Sequence, residues 1–66
     1  MPECAFLARE TPDSVREEIL HVLAKKQDAL EHCERGCTNQ AVAMLRNDYP
    51  HVAFNLDLYS VNGACV

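Results

Sequence analysis

The sequence predicts a small α+β fold, a single domain over residues 1–66 with the element order β-α-α-β. Three observations predict it. Apolar residues alternate near each end of the chain, a long stripe at helical spacing lies between those ends, and the length leaves no room for a second domain. A chain of 66 residues buries only about 60% of the surface its unfolded form exposes, so the core is expected to be thin. Hydrophobic residues at 48% and charged residues at 24% are an ordinary globular balance and argue against intrinsic disorder.

Residues 3–9 (ECAFLAR) alternate loosely, with Cys4, Phe6 and Ala8 on one side and Ala5, Leu7 and Arg9 on the other. This is the expected N-terminal strand. Thr11-Pro12-Asp13-Ser14 then signals a helix start. Thr11 can cap free N–H groups, Pro12 suits the first helical position, and Asp13, Glu17 and Glu18 favour the positive end of the helix dipole. From Val15 the apolar positions run Val15, Ile19, Val22, Leu23, Ala29, Leu30 and Cys33. Steps of three and four lay one stripe along a helix of about 22 residues, interrupted at Lys26. Glu31 and Arg35 are correctly ordered for a surface pair one turn apart, and Gly36 supplies a left-handed stop.

Thr38 or Asn39 can cap a shorter second helix through Val42, Met44 and Leu45, which Tyr49-Pro50 ends. Beyond Pro50 the period changes. Val52, Phe54, Leu56 and Leu58 alternate with Ala53, Asn55, Asp57 and Tyr59, which predicts a strand over 52–61. Asn62-Gly63 reads as a tight turn before the short tail Ala64-Cys65-Val66. The two strands lie at opposite ends of the chain and can pair over the helices. A two-stranded sheet is marginal and leaves open edges, so the expected completion is a homodimer joined strand to strand across a two-fold axis.

Net charge is −4, with six basic and ten acidic side chains and no basic stripe. Nucleic-acid binding depends on Lys and Arg neutralising phosphates, so no nucleic-acid partner is expected. The longest unbroken apolar runs are Cys4 to Ala8 and Ala41 to Leu45, far short of the roughly 20 residues a membrane span needs. Neither follows a basic N-terminal segment, so no secretory signal is expected and the compartment expected is the cytoplasm.

Four cysteines, Cys4, Cys33, Cys37 and Cys65, are expected to be reduced in that compartment, as small core residues. A Cys4–Cys65 bridge is the pairing that would close nearly the whole chain. The densest group of metal-ligand types is His32-Cys33-Glu34-Arg35-Gly36-Cys37. Cys33 and Cys37 are one helical turn apart and, with His32, could begin a tetrahedral site. Against this, the common C-x2-C spacing is missing, Gly36 falls between the thiols, and both cysteines continue the apolar stripe. A redox role is disfavoured because the pair falls at a helix C-terminus beside Glu31 and Glu34, where thiol pKa values rise rather than fall.

No P-loop, G-x-G-x-x-G, H-E-x-x-H or EF-hand pattern is present, and there are two glycines in all, so no phosphate cradle and no cofactor are expected. A chain this small encloses no pocket of the usual enzyme size. The function expected is therefore that of a small acidic, non-enzymatic protein-interaction module. It would be a regulator or inhibitor, of the kind bacteria and phages encode, that binds another protein and forms a homodimer. Asn55, Asp57 and Tyr59 on the outer face of the expected strand, with Tyr49 near its start, are the expected partner-binding residues. Two alternatives stand beside it: a metal- or thiol-dependent module built on Cys33 and Cys37, and a peptide substrate modified at its Cys65 tail.

Overall fold

Among the residues that the computed structural model describes, 5–61, there are four helices and no strand or sheet. They are α1 (Asp13–Lys25), α2 (Gln27–Glu34), α3 (Thr38–Leu45) and α4 (Pro50–Tyr59). The expected β-α-α-β fold is thus corrected to an all-helical one, and the dimer sheet goes with it.

The helix start falls where the sequence places it, by a different device. Pro12 occupies the cap position of α1 without a side-chain cap. Thr11 instead turns back, its Oγ1 donating to the Ala8 carbonyl at 2.6 Å. Arg16 leans the same way, its guanidinium reaching the carbonyls of Ala8 and Arg9 at 3.5 and 3.4 Å. These bonds fold the N-terminal segment onto α1 and bury Phe6 and Leu7. What survives of the expected strand pairing is one antiparallel bridge, Leu7 with Ser60. Ala8 N–H donates to Tyr59 at 2.8 Å and Val61 N–H to Phe6 at 3.0 Å.

The single long helix is two helices. Lys26 leaves the helical region (φ −119°, ψ 76°), and α2 sets off in a new direction. A straight helix of 22 residues would be about 33 Å long, and the molecule's largest extent is 26 Å. Only by breaking can both halves of the apolar stripe reach one core. The break stays hydrogen-bonded: Lys26 N–H donates to Val22 and Leu23, and its carbonyl accepts from Leu30 N–H at 3.0 Å. Lys26 Nζ meets Asp48 Oδ2 at 3.0 Å, which ties the break to the α3–α4 connection.

Gly36 stops α2 as expected, at φ 85°. Gly36 N–H donates to the Cys33 carbonyl and Cys37 N–H to the His32 carbonyl, at 3.0 and 2.8 Å, the paired bonds of a Schellman motif. The expected Glu31–Arg35 pair is present at 3.7 Å. Cys37, rather than Thr38 or Asn39, holds the cap position of α3, and Thr38 is buried inside the first turn.

The expected strand over 52–61 is α4, with Pro50 in its first turn and Tyr49 at its cap. Tyr49 stands outside the helical region (φ −136°, ψ 66°), which the residue before proline is pushed to avoid, and here that geometry launches a helix rather than a strand. The core draws on every element: Phe6 and Leu7, Ile19 and Leu23 of α1, Ala29 and Cys33 of α2, Ala41 and Leu45 of α3, and Val52 and Leu56 of α4. α3 packs between α2 and α4, and α1 closes against both. No helix is long and apolar enough to cross a membrane among the described residues.

Candidate interaction surface

The apolar side chains of α4 divide between two opposite faces. Val52, Ala53 and Leu56 are buried, and half-buried Tyr49 and Tyr59 pack against the same core. Phe54 and Leu58 lie one turn apart on the other side, 66% and 60% exposed, and Val61, past the end of the helix, is 52% exposed. Isolated exposed apolar residues are normal, but Phe54 and Leu58 share one helix face, with Val61 exposed just beyond its end, and such patches mark interaction sites.

Beside this patch runs a groove between α3 and α4 of about 230 Å³, lined by Val42, Arg46, Pro50, Ala53, Phe54 and Asp57. Val42 and Ala53 are core residues and form its floor, while the exposed Phe54 ring stands at its edge. The rim is charged with both signs. Arg46 and Asp57 belong to none of the four ion pairs formed among the described residues, and their side chains form no hydrogen bond there. On the opposite flank of α4, His51 Nε2 meets Glu18 Oε2 at 2.9 Å, so that side is closed against α1.

The expected binding face of Asn55, Asp57 and Tyr59 does not exist as one surface: on a helix Asn55 and Tyr59, one turn apart, share a side, while Asp57 turns away from them. Asp57 is exposed on the groove, Asn55 is half-buried, and Tyr59 and Tyr49 lie against the core. Phe54, Leu58, Val61 and Arg46 are the surface residues that sequence reasoning missed. The signal was there: Phe54 and Leu58 are spaced i, i+4, directly behind a proline well suited to the first turn of a helix.

The His32, Cys33 and Cys37 group does not assemble into a metal site. Cys33 is buried in the core, and Cys37 is disulfide-bonded, which removes its sulfur as a thiolate ligand. That disulfide also corrects the expectation that the cysteines are all reduced. Among the described residues no three His, Cys, Asp or Glu side chains are placed to hold a metal ion. The alternative Cys4–Cys65 pairing, the Asn62-Gly63 turn and the Cys65 tail lie outside the described residues. The fold and this surface define a small all-helical domain with one apolar helix face turned outward. Comparison with family models, with curated proteins and with solved structures finds no match to the chain.

Proposed function

We propose that this protein is a non-enzymatic interaction module, a regulator or inhibitor that binds another protein chain through the outer face of α4. The observation that carries the reading is the exposed pair Phe54 and Leu58 on one face of α4. In a chain with so little apolar material to spare, leaving a phenylalanine and a leucine outside the core costs stability that their burial would supply, about 1.5–3 kcal/mol each. A binding surface is the physical reason to accept that cost.

The adjoining groove supports binding rather than catalysis. Its polar groups are one guanidinium and one carboxylate, with no nucleophile and no candidate base placed against one. The net charge of −4 favours a protein partner over nucleic acid. Cysteine chemistry bears on compartment. A Cys37 disulfide supports an oxidising environment over the reducing cytoplasm expected from the sequence.

The test is a paired capture with the intact chain and a Phe54→Glu/Leu58→Glu variant, both immobilised after circular dichroism shows equal helix content. Proteins retained by the intact chain and lost by the variant support the α4 reading. Equal recovery on both, or none on either, sinks it.

A further inference from the structure

Deepening the interaction-module reading, on which it rests, we infer that the outer face of α4 binds a second copy of this chain across a two-fold axis, with Arg46 of each copy meeting Asp57 of the other.

A two-fold interface uses the same patch on both subunits, so the patch must complement itself. The α4 surface does so in shape. A ring projects at the edge of a groove whose floor is apolar, and Phe54 is at once the wall of its own groove and more exposed than Met44, Leu58 or Val61, the other exposed large apolar side chains among the described residues. An axis passing beside Phe54 brings each ring over the other copy's groove. Room is sufficient: an apolar cavity of about 150 Å³ accepts a benzene ring, and the groove offers about 230 Å³.

Charge points to the same occupant. A patch built for an acidic partner would carry a basic rim, and one built for a basic partner an acidic rim. This rim carries one of each, Arg46 just past the end of α3 and Asp57 on α4, and neither side chain is engaged in an ion pair or hydrogen bond among the described residues. Rotation by half a turn places cation opposite anion twice, once on each side of the axis. Arg46 and Asp57 are the charged side chains that line the groove. An interface centred on one short helix falls at the small end of specific interfaces, which sets the expected dissociation constant in the micromolar range.

Sedimentation equilibrium and native mass spectrometry on the full chain, loaded from about 5 to 500 µM, test this. The wild type should pass from the 7.4 kDa monomer to twice that mass as concentration rises. Phe54→Glu should stay monomeric. Arg46→Glu places two acids at each contact and Asp57→Arg two bases, so each alone should stay monomeric as well. Mixed in equal amounts, these two variants restore an opposite pair at both contacts and should form a heterodimer, identified by its intermediate mass. Recovery in the mixture also shows that each variant is folded. A wild type that remains monomeric throughout overturns the inference, as does a dimer that survives all three substitutions or a mixture that fails to recover one. A monomeric wild type leaves the interaction-module reading to the capture experiment, so the two can fail separately.

Discussion

Lys26 shows how much one side chain does in a fold this small. It sits where the apolar stripe is interrupted, its backbone breaks the helix, and its ammonium reaches across to Asp48 at 3.0 Å. The hydrogen bond and the negative charge of Asp48 raise its pKa above the ordinary 10.5. Its folded-state pKa is raised relative to the unfolded chain. Its contribution is therefore fully present below pH 10.5 and is lost as the pH climbs through the higher folded value. Lys26→Met keeps the aliphatic stem and removes the charge. The variant should be slightly less stable than wild type at neutral pH, and the difference should shrink as the pH rises past 10.5. Urea unfolding of both proteins across that range reads it directly. A constant gap at all pH values would place the effect in packing instead. Gly36 is the complementary case: nothing lies within 4 Å of where a Cβ would sit, and its φ of 85° alone explains the residue.

At the scale of elements, α4 carries the sharpest contrast. Read as a strand, Leu56 and Leu58 share one face and should matter equally. As a helix, Leu56 is fully buried and Leu58 is 60% exposed. Leu56→Ala should cost about 2–5 kcal/mol, as cavities in cores do, while Leu58→Ala should change monomer stability by no more than about 0.5 kcal/mol. Denaturant unfolding at low micromolar concentration separates the two, and similar losses at both positions would restore the strand reading. The sequence made much of the punctuation legible: the helix start around Thr11–Ser14, the Gly36 stop and the Glu31–Arg35 pair all have local causes, whereas α3 ends at Leu45 and Tyr49-Pro50, expected to end it, begins α4. The break at Lys26 has no Gly or Pro behind it and answers to the size of the core, which only the assembled molecule defines. α4 was misread because ten residues with apolar side chains on two faces fit a period of two as well as 3.6. Phe54 and Leu58 violate the rule that a helix hides its apolar residues, and that violation is the candidate site itself.

For the whole molecule, the deciding quantity is how little stability 66 residues can hold. Typical values per residue give about 3–10 kcal/mol in total, and the core is a single cluster drawn from four short helices and one turn of N-terminal chain. A disulfide in a small domain contributes about 2–5 kcal/mol, largely by restricting the unfolded chain. The Cys37 disulfide is thus large beside the total, and it anchors the junction where α2 gives way to α3. Cys33, four residues earlier, takes the other role open to a cysteine, a thiol buried in the core cluster. Two cysteines that look equivalent in sequence should therefore separate chemically. Under denaturing, non-reducing conditions an alkylating reagent should modify Cys33 and spare Cys37 until reductant is added. Reduction should also lower the urea midpoint of the wild type by several tenths of its value or unfold the chain outright. Cys37→Ser should start from the reduced midpoint and respond far less to reductant. If Cys37 labels as readily as Cys33 and reductant leaves the midpoint unchanged, the fold stands on its apolar core alone, and the argument for an oxidising compartment falls with the disulfide.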